Sequence, residues 1–166
     1  RVAAEVAVGM IMHPFSSEKY IREVTLPTIE AGLQASGRNH ADFELDYAPI
    51  IATGIDDAAI ARATEVARGR IAFYGSTEAY RPVLEIHGWG DLQTELNRLN
   101  KRRQPEAMAA LVSDEVLHTI AIVGKPAEVI DVMRQRLGGV IGRTGFQVPG
   151  MADDEQTEMI ARLKAR

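Results

Sequence analysis

The sequence predicts an α/β protein built on a parallel sheet: the C-terminal part of a TIM (β/α) barrel, with a helical insertion after its second visible strand. Three observations predict it. Strand-like and helix-like segments alternate along the chain, the pattern of βα units. Three such strands are too few to close a barrel, and an open parallel sheet leaves edges that need a partner. The opening "RVAAEVAVGM" starts in mid-pattern, with Val2, Ala3, Val6 and Ala7 on one helical face and no Ser, Thr, Asp or Asn before them as a cap. Residues 1–166 therefore read as a single domain, the second half of a barrel whose first half is missing.

Each element follows from its residues. Gly9 ends the first helix, and Met10-Ile11-Met12 reads as a short buried strand. Residues 17–36 read as a helix with Tyr20, Ile21, Val24, Ile29 and Leu33 on its apolar side, kinked or split at Pro27 and stopped at Gly37. "FELDYAPIIAT" (residues 43–53) reads as a second strand, alternating and then continuously apolar, with a bulge or irregular edge at Pro49. Asp56 or Asp57 caps the next helix. Residues 69–106 break the βα rhythm with Gly75, Pro82, Gly88 and Gly90 among aromatic residues, and read as short helices of an insertion or lid. Pro105 starts a helix running to about Leu117, "TIAIVG" is a strand, and Pro126 starts the helix after it. Gly138-Gly139 leads to a last strand, "VIGRTGFQV", and Asp153 or Asp154 caps a terminal helix with basic residues at its end.

Composition narrows the function. Apolar residues make up 46 % and charged residues 25 % of 166, which suits one globular domain with a real core. The net charge of −4 and the lack of a basic stripe with interleaved aromatics speak against nucleic acid, and Lys101-Arg102-Arg103 reads as a solvated loop. No apolar run reaches the roughly 18–20 residues of a membrane span, and no signal-peptide pattern is visible. Cysteine is absent, which removes disulfides, thiolate metal sites and a cysteine nucleophile and fits a reducing compartment. A cytoplasmic protein without membrane or nucleic-acid partners is expected. The four histidines have no H-x-x-x-H spacing, so no metal is expected; Gly124-Lys125-Pro126 lacks the Walker pattern and reads as a helix start.

Three stretches carry a resemblance: "EVAVGMIMHPFSSEKYIREVTLPTIEAGL", "FYGSTEAYRPVLEIHGWGDLQTELNRL" and "VGKPAEVIDVMRQRLGG". Together they resemble the C-terminal half of the luciferase-like monooxygenase superfamily, most closely its coenzyme F420-dependent oxidoreductases. Where that family usually has Ala-Asp-Gly before the strand, this chain has Ala7-Val8-Gly9, and its last strand is a weaker match. The resemblance implies a TIM barrel with its cofactor at the C-terminal ends of the strands, and hydride transfer between the deazaflavin and a small-molecule substrate. It also implies that the missing N-terminal half supplies most ring contacts and the usual acid/base residues.

On this reading His13, Pro14, Phe15, Ser16 and Ser17 form the cofactor-binding loop, beyond a strand at the face where barrel enzymes do chemistry. The same serines read equally as a helix cap worth about 1 kcal/mol. Glu18 in the first turn favours the cap, because it would repel a phosphate. His13 is the one candidate acid/base residue, against a packed or hydrogen-bonding role. Tyr74, Tyr80, His87 and Trp89 are expected to line the substrate pocket; Ser76 and Arg81 lie in the same block. The alternatives are an FMN-dependent monooxygenase on the same fold and a non-catalytic half-barrel that binds a partner or forms a homodimer.

Overall fold

The computed structural model describes residues 1–145, 148 and 151–164. Helix α1 (Val2–Val6) leads into strand β1 (Gly9–Met12). Gly9 is required there by the neighbouring strand: a Cβ would fall 2.5 Å from the Glu44 carbonyl oxygen. Ser17 caps helix α2 (Glu18–Tyr20), and a π-helical turn over Ile21–Thr25 joins it to helix α3 (Leu26–Ala35). This replaces the single kinked helix expected over residues 17–36. Pro27 lacks an N–H and its ring crowds the carbonyl one turn back. The widened turn just before it takes up that mismatch, with the Leu26 N–H reaching the Ile21 carbonyl five residues back. The helix does stop at Gly37, whose φ of +69° lets the Arg38 N–H bond the Leu33 carbonyl.

The strand expected over residues 43–53 is two strands. β2 (Glu44–Tyr47) pairs in parallel with β1, Ile11 beside Asp46 and Met12 beside Tyr47. β3 (Ile50–Thr53) pairs in parallel with β4 (Ala121–Gly124) instead, Ile50 beside Ala121. The break falls at Ala48-Pro49, where proline has no N–H to give a ladder. On its far side β2 meets Arg143: the Tyr47 N–H donates to the Arg143 carbonyl at 3.1 Å and the Arg143 N–H to the Leu45 carbonyl at 3.2 Å. β2 is thus the middle of a parallel arc. Of the strand expected over residues 140–148, only this bridge is formed among the described residues; Phe146 and Gln147 lie outside them.

Helix α4 (Asp57–Gly75) is capped by Asp56, whose carboxylate accepts the Ala59 N–H at 2.6 Å. It runs unbroken through Gly69, so the irregular segment begins after Gly75 and not at residue 69. A single turn over Glu78–Tyr80 leads into α5 (Arg81–Glu85) and α6 (Gly90–Lys101). The helix expected from Pro105 to Leu117 is split into α7 (Pro105–Ala110) and α8 (Asp114–Ile120), because Ser113 caps a new start by accepting the Val116 N–H. α9 (Pro126–Leu137) begins at its proline, with the Glu128 carboxylate accepting the Lys125 N–H at 2.8 Å. In α10 (Asp153–Lys164) both aspartates lie within the first turn and not before it.

Helices cover one face of the β1–β2 pair. Met12, Leu45 and Tyr47 are buried with Ile29 and Leu33 of α3 and Leu137 of α9. Ile11 points the other way and is 82 % exposed, so β1 is buried on one face and not on both. A second core gathers Phe15, Ile50 and Ala52 with Ile71, Leu84, Leu96 and Leu117 of the helical segment. Among the described residues no helix is long and apolar enough to cross a membrane.

Candidate functional site

The loop after β1 is fixed from below by Tyr47, whose buried hydroxyl donates to the Pro14 carbonyl at 3.2 Å. Burial raises the Tyr47 phenol well above its ordinary range and keeps it a donor. Phe15 drops into the helical core, 2 % exposed, and its N–H donates to His13 Nδ1 at 3.1 Å. An accepting Nδ1 leaves the imidazole proton on Nε2. Burial, and then the Arg70 charge, lower the His13 pKa and favour that neutral form.

His13 is held between two tyrosines from the far end of α4 and the turn beyond it. Its ring stacks on Tyr80 at 4.5 Å with planes inclined by 20°, and meets Tyr74 edge-on at 4.7 Å. Phe15 closes the group at 5.7 Å from Tyr80 and 6.4 Å from Tyr74. The nineteen-residue α4 makes the meeting possible, because it runs back along the sheet from the end of β3 and carries Tyr74 to the end of β1.

Ser17, His87 and Trp89 form a second group. The Ser17 hydroxyl accepts the Tyr20 N–H at 3.1 Å and bonds His87 Nε2 at 2.8 Å. His87 stacks on Trp89 at 4.6 Å, and burial, then the Lys19 charge, lower its pKa. The cap reading of Ser17 is thus realised, with the hydroxyl also committed to His87. Ser16 differs: its hydroxyl is buried with no partner among the described residues, beside a small cleft edged by Tyr47, Thr119 and Arg136. Ser76 and Arg81 brace the helices: Ser76 bonds Phe73 and Asn100, and Arg81 bonds Glu85, Gln93 and Thr94.

Sequence reasoning named His13, Tyr74, Tyr80, His87 and Trp89, but not Arg70 or Tyr47. Arg70 is one of many surface arginines in sequence, and Tyr47 reads only as an apolar strand position. A cavity of about 1160 Å³ lies elsewhere, along Val8, Leu26, Phe43, Glu44 and Val140 at the N-terminal ends of β1 and β2. Barrel enzymes do their chemistry at the opposite, C-terminal ends, so volume alone does not mark the site. Among the described residues no three His, Asp or Glu side chains converge as a metal site.

The family model described as luciferase-like monooxygenase matches residues 1–140. Uncharacterized proteins of Mycobacterium tuberculosis and Mycobacterium bovis are 46 % identical over 142 residues, covering 86 % of this chain and 42 % of their own length. The chain thus spans less than half the length of the curated relatives it matches. Among solved structures, the coenzyme F420 dependent tetrahydromethanopterin reductase from Methanopyrus kandleri is similar at a TM-score of 0.73 and 20 % identity, over 96 % of this chain and 45 % of that one. That likeness shows the fold: the parallel strands and their helices correspond to part of a TIM-barrel enzyme.

Proposed function

The chain belongs to the luciferase-like monooxygenase family, and we propose that it is the C-terminal half of an oxidoreductase that transfers a hydride between coenzyme F420 and an organic substrate. One observation carries this reading. The loop beyond β1 and the helical segment meet past the C-terminal end of β1, where His13 lies against Tyr80 and Tyr74. Aromatic faces there suit a planar ring, and in the same loop the unpartnered hydroxyl of Ser16 is a polar group to spare, beside the separate cleft edged by Tyr47, Thr119 and Arg136. The bound deazaflavin would supply the hydride chemistry.

In this reading His13, Pro14, Phe15, Ser16 and Ser17 form the edge of the cofactor site. His13 offers its Nε2–H as a donor, Phe15 anchors the loop, and Ser17 holds the following helix and His87 in place. Tyr74, Tyr80, His87 and Trp89 wall the substrate side, with the segment that follows Gly75 as a lid that keeps water away from the hydride. The missing N-terminal half of the barrel completes the pocket. A second reading, an FMN-dependent monooxygenase, is favoured by the family's own description. Titrating the intact protein with F420 and with FMN separates the two: F420 binding and F420-linked turnover are expected, and tight FMN binding without F420 binding overturns the first reading.

A further inference from the structure

We infer that Asp46 faces the ligand chamber below the His13 loop and accepts a hydrogen bond from the N–H or O–H groups of the redox cofactor. This rests on the reading of the fold as an oxidoreductase barrel with its chemistry at the C-terminal ends of the strands.

Direction comes first. Leu45 and Tyr47 are buried against α3 and α9, so Glu44 and Asp46 project from the opposite face of β2. In a barrel, the face turned away from the helices is the interior. Height comes next. Asp46 stands beside Ile11 in one ladder and Arg143 in the other, one residue before the end of both β1 and β2. It therefore belongs to the interior layer closest to the His13 loop.

Chemistry decides what that layer is for. Barrel interiors are usually filled by branched apolar side chains, yet here the row reads Ile11, Asp46, Arg143. Arg143 Nη2 pairs with Glu44 Oε2 at 3.2 Å. Asp46 has no side-chain hydrogen bond or ion pair among the described residues, and it keeps partial access to solvent. Among the described residues one guanidinium therefore faces two carboxylates, and Asp46 is the one it does not pair with. Enclosing that charge in a dry, packed layer is costly unless donors reach it. A chamber holding a ligand rich in donors meets the requirement. Flavin and deazaflavin rings both present an N–H on the pyrimidine edge and hydroxyls on the ribityl chain.

The test uses the intact protein with F420 and FMN as probes. Asp46 is labelled with a water-soluble carbodiimide and glycine ethyl ester and read by mass spectrometry; binding and melting are measured for Asp46→Ala and Asp46→Asn. The free protein is expected to label at Asp46, and the cofactor that binds to protect it. Asp46→Ala should weaken that cofactor about tenfold or more, with Asp46→Asn intermediate because it keeps an acceptor oxygen. Both variants should melt within about 3 °C of the parent. Unlabelled Asp46 together with a collapse of the melting temperature in both variants overturns the inference, because the carboxylate then belongs to a closed interior ion pair. So does a cofactor that binds the parent but neither protects Asp46 nor discriminates Asp46→Ala. If neither cofactor binds the parent, the oxidoreductase reading itself fails and this inference falls with it.

Discussion

His13 stacks on Tyr80, ring centroids 4.5 Å apart, although one residue opens the loop after β1 and the other ends the turn after α4. That contact joins the strand-end loop to the helical segment.

The stack is expected to be a measurable coupling. Rings in this geometry contribute about 0.5–1.5 kcal/mol beyond their buried area. A double-mutant cycle on His13→Ala and Tyr80→Ala, followed by urea unfolding, should return a favourable coupling of about 1 kcal/mol. Tyr80→Phe should retain it, because the contact uses the ring and not the hydroxyl. A coupling near zero would mean that loop and helices merely lie side by side.

Acid should weaken the fold through His13 and His87. Burial lowers both pKa values, with Arg70 adding to the first and Lys19 to the second. A histidine whose folded pKa lies below its unfolded value binds more protons when unfolded. Its contribution is therefore complete above the unfolded pKa of about 6.5 and is lost as pH falls through the lower folded value. Melting temperature should fall between pH 7 and pH 5, and less steeply in His13→Phe and in His87→Phe. Profiles as steep as the parent's in both variants would rule these two groups out.

Much of this architecture was legible in the sequence, where local chemistry decides. The Asp56 cap, the Pro126 helix start, the Gly37 stop and the Ser17 cap each follow from one or two neighbouring residues. Pro49 and Pro27 announced trouble but not its form. Whether a proline kinks a helix or widens the turn before it depends on which carbonyls are already paired. Whether a strand bends or splits depends on what lies beside each half, and β2 and β3 have different neighbours. The site divides the same way. His13, Tyr74 and Tyr80 stood out as residue types, but their meeting is set by the length and direction of α4. Asp46 was one acid among many until the ladder register showed which face it takes.

Tyr47 should act as the positioning residue for the loop. Its hydroxyl reaches the Pro14 carbonyl from the buried face of β2. Tyr47→Phe is expected to cost about 1 kcal/mol in stability, the ordinary net worth of one hydrogen bond. On the proposed reading it should also raise the dissociation constant for F420 in the intact protein, since the loop from His13 to Ser16 loses its tether. Stability and binding both unchanged would show that Phe15 alone fixes the loop.

Ser17→Ala should cost more than a cap. The hydroxyl serves the Tyr20 N–H and His87 at once. Losing a serine cap costs about 1 kcal/mol, and a part-buried histidine nitrogen left without its partner adds about 1 kcal/mol more. In a His87→Ala background the same substitution should cost only the cap. Equal costs in both backgrounds, read from urea midpoints, would show that the hydrogen bond to His87 contributes nothing.

Two helical glycines should respond to alanine with opposite signs. Alanine is the better helix former by about 1 kcal/mol, so a glycine with open space around it is a site to gain from. Gly69, in the middle of α4, has nothing within 4 Å of where its Cβ would stand. Gly69→Ala should stabilise the protein by about 0.5–1 kcal/mol. At Gly32 of α3 the same atom would come within 2.8 Å of both the Ala4 Cβ and the Arg1 carbonyl oxygen. Alanine there must push α1 away from α3, and Arg38, which bonds the Ala4 and Ala7 carbonyls, would be pulled along. The clash outweighs the propensity gain, so Gly32→Ala should destabilise by about 1–3 kcal/mol. Thermal melts of the two variants side by side provide the check. A Gly32→Ala protein as stable as Gly69→Ala would mean that α1 does not pack on α3 at this distance.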